Sequence, residues 1–243
     1  MSGHSKWATT KHKKAGVDAK RSKVFTKVAK LITIAARDGK SGDPMSNPSL
    51  RMAVENARAV SMPKDNIDRA IKRGIGGGDD GARIEEIVYE AYAPGGVALI
   101  IECLTDNKNR ALGDIKTILT KNNGTLANAG SVGYLFQKVG QFILELAKNK
   151  LKGDELEMAI IDSGAEDFSE EGNLCVVTCA LADFHMVKNN LESAGVVIDS
   201  AEATYQAGTY IEVPEEKKPA IERIIDLLDD LDDVNNVYTN AEL

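Results

Sequence analysis

The segment Gly74-Ile75-Gly76-Gly77-Gly78-Asp79-Asp80-Gly81 divides the chain into two parts of different composition. A run this rich in glycine has few side chains to pack and is typical of a flexible linker between domains. Residues 1–75 carry 17 Lys and Arg against 6 Asp and Glu, a net charge of +11, whereas the rest carries 13 basic and 31 acidic residues, a net charge of −18. The sequence therefore predicts a basic module joined to an acidic body, and it excludes a protein that coats polyanions over its whole surface.

The part before the linker has a helical pattern after a polar N-terminal arm, residues 2–16. Asp38-Gly39 ends the first predicted helix, Asn47 can cap the second with Pro48 at its first position, and Gly74 stops the third. Three helices are thus predicted, over residues 17–37, 48–60 and 64–73.

Beyond the linker, short apolar runs alternate with amphipathic stretches. Pro94-Gly95-Gly96 separates two strand-like runs and suits a hairpin turn. Helices that end in Gly or Asn and lead into a short strand recur three times, and strands are expected at residues 196–199 and 203–205. The predicted fold is a multidomain α+β protein, in which an N-terminal three-helix domain precedes two small α/β-sandwich (ferredoxin-like) domains.

The first helix has two faces. Successive residues of a helix are rotated by about 100° around its axis. On this basis the basic residues lie within an arc of about 100°, and the centre of the apolar residues is roughly 150° away around the axis. The apolar face is expected to pack on the other two helices, which leaves a cationic face about 30 Å long. Because almost no acid interrupts it, we expect this face to bind phosphate rather than merely to be solvated. The basic set is Lys20, Lys23, Lys27, Lys30 and Arg37, and the apolar set is Phe25, Val28, Ala29, Ile32, Ala35 and Ala36.

The arm and the third helix extend this basic surface. Trp7 lies among lysines, where an aromatic ring can stack on an unpaired base of RNA, although an anchoring role against the helices is an equal alternative. Helices two and three also have helix-turn-helix spacing, which keeps duplex DNA as an alternative partner. The residues added are His4, Lys6, Trp7, Lys11, His12, Lys13 and Lys14 in the arm, and Arg69, Lys72 and Arg73 in the third helix.

Other motifs do not indicate catalysis or a cofactor. Gly76, Gly78 and Gly81 match G-x-G-x-x-G, but a helix precedes them and a strand follows, which is the reverse of a dinucleotide site. The acidic residues between Asp226 and Asp233 alternate with leucines, so they predict an acidic outer face rather than a metal site. No nucleophile–base pair is recognisable, and no enzyme activity, metal or cofactor is expected.

The cysteines and the apolar runs of the sequence indicate the cellular compartment. Three cysteines without a CxxC spacing predict buried, reduced thiols. The longest apolar run, Val97–Ile101, is far shorter than a membrane helix, and no secretory signal is recognisable. We expect a cytoplasmic monomer that does not bind membranes.

Several motifs resemble the signature of the YebC/PmpR family, whose mitochondrial relative is the translational activator of cytochrome c oxidase. The resemblance covers essentially the whole chain, and one departure is Tyr134, where the family usually has Trp. The motifs are Gly3-His4-Ser5-Lys6-Trp7, Lys11-His12-Lys13-Lys14, Asp18-Ala19-Lys20-Arg21, Phe25-Thr26-Lys27, Met62-Pro63-Lys64-Asp65-Asn66-Ile67, Pro94-Gly95-Gly96-Val97, Leu104-Thr105-Asp106-Asn107-Lys108-Asn109-Arg110 and Gly130-Ser131-Val132.

The resemblance implies three domains: residues 1–78, residues 79–131 with 204–243, and an inserted domain of residues 132–203. It also implies either a ribosome-binding translation factor that relieves stalling, as at proline runs, or a DNA-binding transcriptional regulator. We expect ribosomal RNA as the partner, with tRNA as a further candidate and duplex DNA as the alternative. We also expect a second RNA contact at Thr105–Arg110. Besides the basic residues above, the predicted contacts include Arg21, Asn107, Lys108, Asn109 and Arg110.

Overall fold

The structure is a computed structural model that describes residues 18–76 and 84–243, with side chains from residue 22 onward. The chain forms two compact units: residues 137–206 make one, and the described residues before 137 and after 206 make the other. Within these described ranges, no helix is long and apolar enough to cross a membrane. The predicted linker falls largely on residues 77–83, outside the described residues, and the predicted three-domain boundaries stay a prediction.

The three predicted helices are present as α1 (Asp18–Asp38), α2 (Pro48–Ala59) and α3 (Lys64–Gly74). Asn47 caps α2 as predicted, since its Oδ1 accepts the Leu50 N–H at 3.0 Å, and its Nδ2 also donates to the Ala35 carbonyl at 2.8 Å. Ile32 and Ala36 are buried against α2 and α3, and Phe25, Val28, Ala29 and Ala35 pack beside them. The apolar face predicted for the first helix is therefore the face that forms the core of the module.

Gly74 has a different role from the predicted one. It is the last residue of α3 rather than a residue beyond its end. A Cβ at this position would lie 2.4 Å from the Thr33 carbonyl oxygen and 2.7 Å from the Ala36 Cβ. Gly74 therefore lets the end of α3 approach the backbone of α1 closely.

The same unit contains a four-stranded sheet of β1 (Glu85–Ala93), β2 (Val97–Thr105), β3 (Thr125–Leu126) and β9 (Val234–Thr239), in the order β3-β1-β2-β9. The hairpin of β1 and β2 turns at Pro94-Gly95-Gly96 as predicted, with positive φ at both glycines. Helices α4 (Lys108–Lys121) and α7 (Lys218–Asp229) pack on the sheet. The other strands are β8 (Ile211–Glu212) and β10 (Ala241–Glu242), and β8 pairs with β10.

The Gly130-Ser131-Val132 motif is held against β1 by a carboxylate. Glu90 accepts the N–H groups of Gly130, Val132 and Gly133 at 2.6–2.8 Å. Burial raises the pKa of Glu90, but these N–H donors outweigh it, so the pKa is lowered overall. The motif is thus fixed by hydrogen bonds to one charged side chain.

The unit of residues 137–206 has the order β-α-β-β-α-β: β4 (Phe136–Glu145), α5 (Asp154–Asp162), β5 (Asp167–Glu171), β6 (Leu174–Ala180), α6 (Phe184–Ser193) and β7 (Ser200–Ala207). Its sheet has the order β5-β6-β4-β7, which is the ferredoxin-like arrangement.

One predicted strand in this unit is wrong, and one strand was not predicted. Residues 196–199 are not a strand, because β7 begins at Ser200 and includes the predicted 203–205. The sequence also gave no sign of β5, whose residues Asp-Phe-Ser-Glu-Glu have low strand propensity. It lies at one end of the sheet, where it pairs with the buried strand β6, so it is an edge strand.

The packing around Gly74 predicts that Gly74→Ala destabilises the protein, which is the opposite of what helix propensity alone predicts. Replacing a helical Gly with Ala usually stabilises a helix by about 0.5–1 kcal/mol. We expect Gly74→Ala to lower the free energy of unfolding by about 1–3 kcal/mol, because the new methyl would overlap Thr33. Urea denaturation measures the change. Gly113→Ala in α4 is the matched control and should be stabilising, because the position of its Cβ is open space beside the helix backbone. A stabilising Gly74→Ala would contradict the packing.

The three thiols are buried and free, as the sequence predicted. Burial, with smaller contributions from nearby carboxylates, raises the pKa to about 12 for Cys103 and Cys175 and to about 11 for Cys179. Because the thiolate is the reactive form, at pH 8 only about one thiol in a thousand or fewer is ionised. We expect almost no reaction of the native protein with a disulfide reagent at pH 8 and three equivalents in denaturant. Rapid modification of any thiol in the native state would contradict this burial.

Candidate nucleic-acid interface

Part of the predicted interface lies outside the described residues. This applies to the whole arm and, because side chains are described only from residue 22, to the side chains at positions 20 and 21 of α1. Those residues are His4, Lys6, Trp7, Lys11, His12, Lys13, Lys14, Lys20 and Arg21, and they stay predictions.

The remaining lysines of the predicted cationic face contact an acidic turn, residues 229–235, which runs from the last residue of α7 to the start of β9. Lys23 Nζ lies 2.9 Å from the Asp230 carbonyl oxygen and 3.1 Å from its Oδ1. Lys27 Nζ donates to the carbonyl oxygens of Asp229 and Asn235 at 3.0 and 3.3 Å.

Lys30 makes the most complete set of these contacts. Its Nζ donates to the carbonyl oxygens of Leu104 and Asp232, both at 2.8 Å, and to Asp233 Oδ1 at 3.3 Å. The side chains of Lys27 and Lys30 are only 19% and 18% exposed. Lys27 and Lys30 are therefore largely covered rather than turned to solvent, whereas the Lys23 side chain is 42% exposed. A phosphate could reach Lys27 and Lys30 only if the acidic turn moved.

Apolar residues explain why this face is covered. Leu31 and Ile34 lie on the same side of α1 as the lysines, and they pack with Ile84 and Leu104 at the end of β2. Arg37 also donates to the Ile84 carbonyl oxygen. Helix α1 thus has two packed faces. The presence of Leu31 and Ile34 among the lysines was the sequence signal for the second face.

The acidic turn is not simply the outer face that the sequence predicted. Asp233 is buried, and both of its carboxylate oxygens accept hydrogen bonds from Arg110. Arg110 Nε donates to Oδ2 at 2.8 Å, and Nη2 donates to Oδ1 at 2.9 Å. Arg110 also donates to Asp106 at 2.8 Å. The hydrogen bonds that Arg110 donates to Asp233 and then to Asp106 raise the pKa of Arg110, and the bond to Asp106 lowers the pKa of that carboxyl. Asp233 therefore joins α1, β2 and the start of α4.

The predicted contact loop at Thr105–Arg110 is largely occupied by structural bonds. Asn107 caps α4 by accepting the Arg110 N–H at 3.1 Å, and Lys108 pairs with Glu85 at 2.7 Å. Asn109 is exposed, and its side chain makes no bond to the part of the chain that the structure describes. Asn109 is thus the residue of this loop whose side chain is open to a ligand.

A different set of cations is exposed. Arg69, Lys72 and Arg73 lie on one side of α3 near its C-terminal end, and their side chains have no hydrogen-bonding or ion-pair partner among the described residues. Sequence reasoning missed further exposed cations of the module that are equally unpaired there. Arg51 and Arg58, seven residues apart, share one side of α2, a spacing that was visible in the sequence. The missed residues are Lys40, Arg51, Arg58 and Lys64.

Comparisons with known proteins cover almost the whole chain. Residues 5–77 match the family model described as the TACO1/YebC protein N-terminal domain, and residues 84–241 match the model described as the TACO1/YebC second and third domain. The resemblance found in the sequence motifs is therefore confirmed.

Individual relatives agree with these models. A protein of Thermobifida fusca (strain YX) named "Probable transcriptional regulatory protein" is 47% identical over 243 residues, which is 100% of this chain and 96% of that protein. A relative of the same name from Bifidobacterium longum (strain DJO10A) is 49% identical over 99% of this chain and 94% of its own length. The crystal structure of a conserved hypothetical protein from Aquifex aeolicus superposes with a TM-score of 0.87 at 37% identity, covering 94% of this chain and 93% of that one. The chain belongs to the TACO1/YebC family.

Proposed function

We propose that this protein is a non-enzymatic RNA-binding translation factor of the cytoplasm, which binds the ribosome through its basic N-terminal module and relieves stalling during difficult peptide synthesis such as proline runs. The observation that carries the proposal is the segregation of charge: +11 on residues 1–75 against −18 on the remainder. A protein with this asymmetry can present one end to phosphate while its acidic body is repelled.

The exposed cations of α3 belong to the described surface that a phosphate backbone can reach without rearrangement. Arg69, Lys72 and Arg73 are exposed and unpaired among described residues, in contrast to Lys23, Lys27 and Lys30. We infer that α3 and the arm make the first contacts with ribosomal RNA. Asn109, in the first turn of α4, adds a polar contact from the same unit.

The charge distribution along α3 favours RNA over a helix-turn-helix mode on duplex DNA. A recognition helix inserts its N-terminal residues into the major groove. The N-terminal half of α3 exposes Asp65 and Asp68, which phosphates on both sides of the groove would repel, beside the single cation Lys64. The other three cations, Arg69, Lys72 and Arg73, lie toward the C-terminal end. This pattern suits contact with a phosphate backbone better than entry into a groove.

Duplex DNA remains the second candidate because the relatives from Thermobifida fusca and Bifidobacterium longum are named probable transcriptional regulatory proteins. A sequence-specific regulator would keep selective binding at ~150 mM salt, whereas non-specific contact by a basic helix gives a Kd of roughly 10⁻⁴–10⁻⁶ M.

Co-sedimentation with ribosomes at ~150 mM salt, with excess random duplex DNA as competitor, tests the proposal. We expect the wild-type protein to stay with the ribosomes. Replacing Arg69, Lys72 and Arg73 together by Gln should weaken binding, and the slope of log affinity against log salt concentration should fall by about 2–3 because three phosphate contacts are lost.

The matched control replaces three exposed cations outside the basic module by Gln, which changes the net charge equally. They are Lys116, Lys121 and Lys150. This variant should bind as the wild type does. Equal losses in both variants would indicate a non-specific charge effect, and transfer of the wild-type protein to the duplex would favour the DNA-binding function.

A second pair of variants separates structural from binding cations. Lys30→Gln should lower the free energy of unfolding by about 3 kcal/mol, because it leaves the buried Asp233 with one cation fewer. Arg73→Gln should leave stability within about 0.5 kcal/mol of wild type but weaken ribosome binding. Urea denaturation and co-sedimentation measure the two effects. An unchanged stability of Lys30→Gln would mean that α1 does not depend on the acidic turn.

A further inference from the structure

The unit of residues 137–206 carries an open groove between α5 and α6 that the nucleic-acid interface does not use. Its volume is about 610 Å³. Leu151, Met158 and Ala159 line it from the α5 side, and Ala194, just after α6, lines it from the other. The groove is therefore mainly apolar along its length.

Large apolar side chains beside the groove are exposed. Met158 and Ile161, one helical turn apart on α5, are each 62% exposed, and Met186 on α6 is 49% exposed. Met186 lies one turn before Asn190, which lines the groove, and its Cε sits close above Gly164. Adjacent exposed methionines and an isoleucine are unusual on a surface that meets only water, and flexible Met side chains suit grooves that accept peptide helices.

The rim of this apolar groove is acidic. Asp154, Glu155 and Asp162 line it, and their side chains have no hydrogen-bonding or ion-pair partner among the described residues. No Lys or Arg is among the residues that line the groove. The unit as a whole carries 13 acidic and 5 basic residues between positions 137 and 206. A ligand here must combine apolar surface with positive charge.

We propose that this groove binds an amphipathic helical segment of a partner protein, whose apolar residues enter between α5 and α6 and whose Lys and Arg side chains face Asp154, Glu155 and Asp162. The helix-in-groove mode needs apolar residues at spacings of three and four, which would meet Met158, Ile161 and Met186. A second copy of this groove is a poor occupant, since a two-fold contact would bring two acidic rims together. The proposal does not depend on RNA binding.

Methyl NMR on the full-length protein tests the groove. With ¹³C-methyl methionine, the six Met residues give separate probes, and Met45, which is 81% exposed outside this unit, is an internal reference. The ligand is a synthetic peptide of about 18 residues, with Leu at helical spacing and Lys elsewhere. We expect shifts at Met158 and Met186 but not at Met45, and much weaker binding of the same peptide with Glu in place of Lys.

Variants make the test specific. The double variant Asp154→Asn with Asp162→Asn should bind the Lys-containing peptide with an affinity lower by roughly fivefold or more. Met158→Gln, made separately, should have the same effect. Met45→Gln, the matched exposed methionine, should not. Ribosome co-sedimentation of the groove variants should equal that of wild type, so failure here is distinct from failure of the RNA-binding proposal.

Three outcomes would overturn the proposal: equal binding of the Lys and Glu peptides, shifts that spread over Met45 as strongly as over Met158, or sedimentation equilibrium that shows a dimer dissociated by Met158→Gln. The last would identify a second copy of this chain as the occupant.

Discussion

The ammonium group of Lys30 is the point at which three distant segments of the chain meet. It donates to Leu104 at the end of β2 and to Asp232 and Asp233 in the acidic turn, and Asp233 in turn holds Arg110 at the start of α4. A buried carboxylate is tolerated only with full compensation by cations and hydrogen bonds, so each member of the network depends on the others. Together with the apolar contact of Leu31 and Ile34, this network joins the helical module and the four-stranded sheet into one compact unit.

This arrangement divides the cations of the module into two classes. Lys23, Lys27 and Lys30 compensate the acidic turn, and much of the predicted basic face of α1 is used within the molecule. Arg69, Lys72 and Arg73 are left exposed on α3. Net charge alone cannot distinguish these classes, because the same lysine is a ligand for phosphate when solvated and a structural group when it lies over backbone carbonyls.

The acidic residues are divided in the same way. Asp233 and Glu90 are structural, since one holds Lys30 and Arg110 and the other holds the Gly130–Gly133 backbone. The carboxylates on α5 have no such partners in the described chain and lie beside exposed methionine and isoleucine. The acidic body is therefore not a uniform solvated surface, and its two units use their negative charge differently.

The sequence by itself determined the α+β class, the three helices with the Asn47 cap, the hairpin at Pro94-Gly95-Gly96, the buried thiols and the family. These features depend on local periodicity, on capping and turn chemistry, or on motifs, which neighbouring residues specify. Tertiary structure alone decided that the lysine face of α1 is covered, that Gly74 is a contact glycine, and that the polar segment Asp167–Glu171 is a strand. Each of these is set by a partner that lies far away in the chain. Neighbouring residues do not identify that partner: Leu31 and Ile34 indicate an apolar contact on the lysine face of α1, but not that it is made with Ile84 and Leu104.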